Sequence, residues 1–376
     1  MTRYAITGAA IANCLGVDQV AIDHAFAGSD GFSPASAYGE FPFTTSLGVM
    51  PIAGSMRLAG VALPAVRAIE PAVRAAVARW GADRVAYLFA SSTGGLEETE
   101  RALAPSAHLP ATAAYSYANH GIDVTSAQIT KLLGITGIQI TVSTACSSSF
   151  KALASALRLI DAGLADAAVI GSADSLCRTT IFGFHSLGLL APTPTAPFSA
   201  HRAGITLAEG SAFILIEREQ ARGWATIAGV GAASDAFHHT SPHPEGLGGQ
   251  LAMRQALDRA GLSPDQIGLV SAHGTGTRLN DAAEALAINR VFERAVPVTA
   301  TKSVTGHTLG SAGLTALVLA LESLKRQAIP PSLRAEPIDA ALAIHLVTER
   351  TAATLEHVLI NAFGFGGSNA SVVVSA

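Results

Sequence analysis

One cysteine and two histidines in this chain have the types and surroundings needed for nucleophilic chemistry. Cys146 lies in Val142-Ser143-Thr144-Ala145-Cys146-Ser147-Ser148-Ser149-Phe150. The β-branched run Ile138–Val142 before it reads as a buried strand. After it, Phe150, Leu153, Ala154, Leu157 and Ile160 fall at helical spacing. That places Cys146 on a strand-to-helix turn, where unpaired N–H groups and the helix dipole favour a thiolate. A free thiol titrates near ~8.5, and helix N-termini lower that value. A lone cysteine is equally consistent with an inert buried thiol, so the argument needs partners. His273 is followed by Gly274-Thr275-Gly276-Thr277 at the end of an apolar run. His307 follows Lys302-Ser303-Val304-Thr305-Gly306 after another such run. A single buried histidine more often satisfies its neighbours than does chemistry. Two at Gly-rich strand ends, with a lysine that burial would force to find a partner, reverse that balance and point to a functional site.

The elements that must position these residues suit a layered fold. Of the 376 residues, 49% are hydrophobic and only 14% charged, and mean hydropathy is +0.38. Such a balance predicts an α/β protein whose strands are buried on both faces. The longest uncharged runs are interrupted by Gly, Ser, Thr and Pro, so no membrane span is expected. The N-terminus lacks a signal-peptide pattern. Net charge −4 gives no footprint for nucleic acid. Three cysteines at positions 14, 146 and 177 form neither a disulfide framework nor a metal spacing, which suits a reduced cytoplasmic protein. His238, His239 and His243 have no carboxylate or cysteine companions, and no metal is expected there. Cys14 and Cys177 read as structural, and Ser147–Ser149 as helix-start polar groups.

Taken in order, Tyr4–Gly8 opens as a strand, residues 28–56 read as irregular, and a helix is expected over Pro64–Trp80. Val85–Ala90 runs into the Gly94-Gly95 turn. Pro105–Asn119 reads as a loop with Tyr115 and Tyr117 as packing residues. Ala167–Ala173 and Ala212–Glu217 are further strands, separated by a Pro/Gly-rich excursion over 181–204. The second half repeats the plan: strands at 225–231, 267–272 and 296–301, a helix bearing Leu314, Leu317, Val318, Leu321 and Leu324, and strands at 358–361 and 370–374. Two similar halves, 1–219 with the cysteine and 225–376 with both histidines and the lysine, suggest a duplication. Cys146, His273 and His307 are then expected to meet across a pseudo-twofold.

Thr144-Ala145-Cys146-Ser147-Ser148, His273–Thr277 with Asn280-Asp281, Lys302-Ser303 with Gly306-His307, and Gly364-Phe365-Gly366-Gly367-Ser368-Asn369 together resemble the elongating β-ketoacyl-ACP synthases. Pro197-Phe198 with Arg202 and Gly204, Glu209-Gly210, and Ser241–Gly246 extend the resemblance along the chain. It implies a thiolase fold, with two duplicated βαβαβαββ halves forming a layered αβαβα sandwich. It also implies a decarboxylative Claisen condensation between a Cys146-bound acyl chain and malonyl-ACP. His273, His307 and Lys302 would be catalytic, with Asp281 and Glu284 in support as partners of His273. Phe365, between Gly364 and Gly366, would supply an oxyanion N–H and a gate. No cofactor is implied beyond the phosphopantetheine arm of the carrier protein. The implied partners are that acidic carrier protein, with Arg57, Arg67 and Lys131 as candidates to receive it, and a second subunit, identical or ketosynthase-like.

Two positions depart from the family pattern: Ala316 and Ser199 stand where acids are common. They leave the three reacting groups untouched. They favour a specialised polyketide or polyene pathway, with a chain-length-factor-like partner, as the alternative to fatty acid synthesis. Gly364–Asn369 contains no cysteine, which argues against a CoA-dependent thiolase. Retention of Cys146 argues against a non-catalytic chain-length subunit.

Overall fold

Apolar runs of the sequence become the strands of one mixed sheet in the computed structural model, which describes residues 4–52, 56–103, 116–218 and 223–376. In chain order the main strands are β1 (Tyr4–Asn13), β2 (Val85–Ala90), β3 (Gln139–Val142), β4 (Ala167–Asp174), β5 (Gly210–Arg218), β6 (Ala225–Ser234), β7 (Leu269–Ser271), β8 (Val298–Thr299), β9 (His357–Gly364) and β10 (Ser368–Ser375). They lie side by side as β8-β7-β9-β10-β6-β1-β5-β4-β2-β3, with the short strand Gly16–Val17 beside β1. β2 is parallel to β3 and β4, and β7 is parallel to β8 and β9. The antiparallel strands β5, β1, β6 and β10 fill the middle. Outward from the β1–β6 pair, both sets of five follow the order first, fifth, fourth, second, third.

Burial decides the layers. The helix Arg57–Trp80 lays Val61, Ala65, Val66, Ile69 and Val73 against Tyr87, Phe89 and Leu215. On the opposite face the helices Ser148–Asp161 and Ala312–Arg326 share a core with strands of both sets, Leu88 and Ile214 from one and Ile360 and Val372 from the other. Ala312 to Leu324 is buried on every side, as expected of a helix that is apolar all round. The helices Leu247–Ala260 and Arg278–Val291 cover the outer face of the second set through Met253, Leu257 and Ile288. The result is five alternating layers of helix and strand.

Three expectations change. The strand before Cys146 forms, but as the edge of the sheet: Gln139 is exposed and Ile140–Val142 are half-buried, because β3 has a neighbour on one side only. The helix expected from Pro64 starts a full two turns earlier, at Arg57. Its stripe Leu58, Val61, Ala62, Ala65 outweighs Pro64 and Pro71, which it contains. Residues 28–56 are not wholly irregular, since Phe32–Pro34 and Ser46–Gly48 join Leu207–Ala208 in a small sheet. Tyr115, most of the 105–119 loop, and the first half's boundary at 219 lie outside the described residues.

Candidate active site

Cys146 stands two residues ahead of its helix, which starts at Ser148. The turn is strained: Ala145 has φ +51°, a left-handed conformation that costs a residue with a Cβ about 1–2 kcal/mol. Serines over-determine it. Ser148 Oγ accepts from the Thr144 N–H at 2.8 Å and donates to the Ala145 carbonyl at 2.5 Å. Ser147 Oγ donates to the Thr144 carbonyl and bonds Ser368 Oγ, both at 2.9 Å. These serines are helix-start groups, as the sequence suggested.

The main-chain N–H groups of Phe365 and of Cys146 itself point at the sulfur. Burial nevertheless pushes the thiol up to about 11, with the Lys302 charge and these N–H groups pulling it back only in part. The expectation of a helix-lowered thiol is therefore overturned for the resting site. Desolvation at the bottom of a cavity outweighs a dipole that the thiol meets from beyond the first turn.

His307 and His273 close on the sulfur from the second half. Gly306, at φ +68°, turns the chain so that the His307 N–H donates to the Thr206 carbonyl at 2.8 Å, and its Nε2 lies 3.1 Å from Cys146 Sγ. His273 leaves β7 with its ring 5.4 Å from that of His307, nearly perpendicular. One ring nitrogen of each histidine and the sulfur lie within 4.8 Å of one another. Lys302 Nζ lies 3.1 Å from His273 Nδ1 and also donates to the His273 carbonyl.

This geometry decides the tautomers. An ammonium facing Nδ1 of His273 leaves that nitrogen an acceptor, so its proton sits on Nε2. His307 Nδ1 is buried, with no hydrogen-bond partner among the described residues. An orphaned acceptor there costs less than an orphaned donor, so His307 also carries its proton on Nε2. Burial, followed by the Lys302 charge, holds both imidazoles well below their usual pKa, and both are neutral. The cavity therefore presents two N–H donors beside a sulfur.

Zinc takes a Cys/His/His set, and these three are the group of that kind found among the described residues. A metal would need the two Nε2 lone pairs that this arrangement has protonated, next to a lysine charge. The site suits an anionic oxygen, not a cation.

Asp281 and Glu284 are buried beside this loop, but they do not bond the His273 imidazole as expected. Glu284 accepts from the main-chain N–H groups of His273 at 2.7 Å and Gly274 at 2.8 Å, and from Asn361 Nδ2 at 3.1 Å. Asp281 accepts from the N–H groups of Phe198, Thr275 and Gly276. A loop with Gly274 and Gly276 at positive φ aims its N–H groups inward, and these carboxylates gather them. Burial pushes Glu284 up to about 7 and raises Asp281. Lys302 is pushed down to about 8 by the same desolvation.

Opposite, Gly364 passes so close to Cys146 that a Cβ there would lie 3.2 Å from the N–H nitrogens of both Cys146 and Ser147. The Phe365 ring packs on Phe184 at 5.4 Å between centroids. Gly366, at φ +78°, donates its N–H to the His239 carbonyl at 2.7 Å. A cavity of about 360 Å³ opens over the three groups, with Phe184, Leu189 and Phe365 among its walls.

Other residues fall elsewhere. Arg57, a candidate to receive the carrier protein, is not a free surface cation. It pairs with buried Glu209 at 2.5 Å, while Arg67 pairs with Glu70 on the surface and Lys131 is exposed. Ser199 Oγ accepts from the His201 N–H, and Arg202 takes Asp339 as its close carboxylate at 2.7 Å. Sequence reasoning missed Asp174, a buried carboxylate at the end of β4. Its signal was an acid closing an otherwise apolar strand.

Comparison with known proteins agrees with this geometry. The N-terminal domain model of β-ketoacyl synthases matches residues 66–222 and the C-terminal domain model matches 224–336. The 3-oxoacyl-[acyl-carrier-protein] synthase 2 of Vibrio cholerae serotype O1 is 34% identical over 273 residues, 67% of this chain and 66% of that protein. That of Staphylococcus aureus is 33% identical over 267 residues, with the same coverage. The chain thus spans just under two thirds of the length of these curated relatives. Among solved structures, a ketosynthase (ApeO) in complex with its chain length factor (ApeC) from Xenorhabdus doucetiae superposes with TM-score 0.92 at 35% identity, over 100% of this chain and 98% of that one. A β-ketoacyl synthase from Burkholderia phymatum gives 0.89 at 27%, over 100% and 99%.

Proposed function

The chain belongs to the β-ketoacyl synthase family, and from that premise we propose that it extends acyl chains by decarboxylative Claisen condensation with malonyl-ACP. The Cys146 sulfur attacks the acyl thioester on a carrier protein. The C–S bond to the phosphopantetheine breaks, and the thiol proton leaves on its sulfur. The tetrahedral oxyanion is held by the N–H groups of Cys146 and Phe365. Malonyl thioester then enters, and its carbonyl oxygen accepts from the Nε2–H groups of His273 and His307. Cleavage of the C–CO₂ bond delivers its electron pair into that carbonyl, so no external base is required. The enolate carbon attacks the acyl-cysteine, forming the C–C bond and expelling the Cys146 thiolate.

One observation carries this reading: a sulfur and one ring nitrogen of each of two imidazoles, from distant parts of the chain, lie within 4.8 Å of one another. No residue need bind a cofactor in this scheme, and the phosphopantetheine arm comes with the substrate. The matching strand orders of the two sheet halves support reading 1–219 and 225–376 as duplicated domains. Among the described residues no helix is long and apolar enough to cross a membrane. Membership of the β-ketoacyl synthase family supports reading the protein as cytoplasmic.

A second reading, narrower than the first, is a specialised polyketide or polyene ketosynthase working with a chain-length-factor-like subunit. The similarity to a ketosynthase solved with its chain length factor favours it over a fatty acid homodimer. The test is incubation of the purified protein, alone and with a co-expressed partner subunit, with acyl- and malonyl-carrier proteins. Release of CO₂ and an acyl mass on Cys146 are expected. Absence of both with every primer and either assembly would sink the reading.

A further inference from the structure

Asp174 is wholly buried, and four donors converge on one of its oxygens: Ser91 Oγ at 2.9 Å, Ser92 N–H at 2.7 Å, Thr93 N–H at 2.8 Å and Thr93 Oγ1 at 2.9 Å. The other oxygen has no hydrogen-bond partner among the described residues. It fits because residue 310 is glycine: a Cβ there would lie 2.9 Å from it and 2.7 Å from Ser92 Oγ. The turn gathered by Asp174 reaches the nucleophile, since Ser92 Oγ donates to the Ala145 carbonyl at 3.3 Å. That carbonyl belongs to the strained residue immediately before Cys146. A buried anion with a bare oxygen is expensive to keep, and a purely structural clamp for a turn would not need one.

We propose that Asp174 is a positioning residue for Cys146, whose carboxylate braces the turn that carries the sulfur. The inference rests on Cys146 being the acyl-accepting nucleophile. The ionisable groups about the sulfur are His307 and His273, with Lys302 behind His273, while Asp174 stands behind the Ala145 carbonyl through Ser92. The helix Ser148–Asp161 offers only serines there. Lys302 and Asp174 act on the thiol with opposite signs. Asp174 itself, pushed up to about 6 by burial, is ionised at neutral pH and exerts this pull there. Cys177 is another thiol that feels it.

The test is the rate of iodoacetamide labelling of Cys146 from about pH 6 to about pH 11, read by peptide mass, in the full-length protein. Asp174→Asn removes the charge. Its alkylation midpoint should fall by ~1 pH unit, giving roughly tenfold more thiolate on the acid side of the profile. Ser92→Ala removes the link to Ala145 and leaves the charge. It should slow acylation by ~3- to 10-fold with the midpoint unmoved. Should Asp174→Asn fail to fold, Thr93→Val strips one donor from the carboxylate and loosens the turn; it should slow acylation in the same range as Ser92→Ala with the midpoint unmoved, because the carboxylate stays ionised where the thiol titrates. A folded Asp174→Asn protein with the wild-type midpoint overturns the electrostatic role, and wild-type acylation in Ser92→Ala and Thr93→Val overturns the positional one. Alkylation needs no substrate, so a wild type that labels but never becomes acylated points to failure of the functional reading instead.

Discussion

Lys302 Nζ lies 3.1 Å from Nδ1 of His273, and among the described residues its hydrogen bonds go to His273 alone. The contact fixes which nitrogen of the imidazole faces the substrate. It also maintains a cation where water does not reach. Burial pushes that amine down to about 8 from 10.5. Between those values the unfolded chain binds the proton more tightly than the folded one, so stability rises with pH across the window. Lys302→Met should lack this rise. The difference between the wild-type and variant Tm profiles from about pH 7 to about pH 11 isolates the lysine from the tyrosines and cysteines that also titrate there. The same variant should lose ~10²-fold in CO₂ release, because the His273 donor is no longer held in place.

Removing either histidine should separate the two half-reactions. His273→Ala and His307→Ala are each expected to cut malonyl decarboxylation by ~10²- to 10³-fold, the usual loss for one donor to a developing oxyanion. Cys146 should remain acylatable in both, seen as an intact-mass increment. The double variant should fall little further, since the two donors act on one oxygen. A histidine variant that keeps full CO₂ release removes that residue from the scheme.

Gly364→Ala is a steric probe of the oxyanion position. The residue has φ −116°, which alanine adopts freely, so the backbone is not strained. Its methyl would sit 3.2 Å from the N–H nitrogens of Cys146 and Ser147, in the space a tetrahedral oxygen needs. Acylation should slow by ~10²-fold while iodoacetamide labelling, which forms no oxyanion, stays within about twofold of wild type. Equal slowing of both would mean that the methyl merely blocks access.

Glu284 should matter through the main chain. Glu284→Gln turns an amide N–H toward the Gly274 or His273 N–H, leaving a buried donor unpaired at a cost of about 1–3 kcal/mol, measurable in urea. With its carboxyl pushed up to about 7 from 4.5, the wild-type folded state holds the proton more tightly between those values. Its stability contribution therefore falls as pH rises through that window, and the variant should lack this slope. A Glu284→Gln protein with unchanged urea midpoint at neutral pH contradicts the bracing role.

The three converging side chains were legible because glycine turns at strand ends leave marks in sequence. His273 and His307 each sit beside glycines that adopt positive φ, and Cys146 between an apolar run and an amphipathic stripe. What Asp281 and Glu284 hold was not legible, because an acid bonding main-chain N–H groups depends on the path of the loop and not on which side chains are nearby. Neither was the depth of the thiol: the sequence reveals a helix start, whereas desolvation is set by Gly364, Phe365 and His307 arriving from other segments. Arg57 was misread as a surface cation because its pairing with Glu209 spans 152 positions. β3 was misread as interior because strand order, and hence which strand is last, is a tertiary property.

The walls of the cavity and its floor have different origins. Sulfur and imidazoles are planted at strand ends in a five-layer body, whereas Phe184, Leu187 and Leu189 come from the excursion that bridges β4 and β5. Evolution can therefore retailor which guest fits by editing that bridge, and the bond-making atoms keep their mutual spacing. Families of such proteins can diversify their products while inheriting one reaction unaltered.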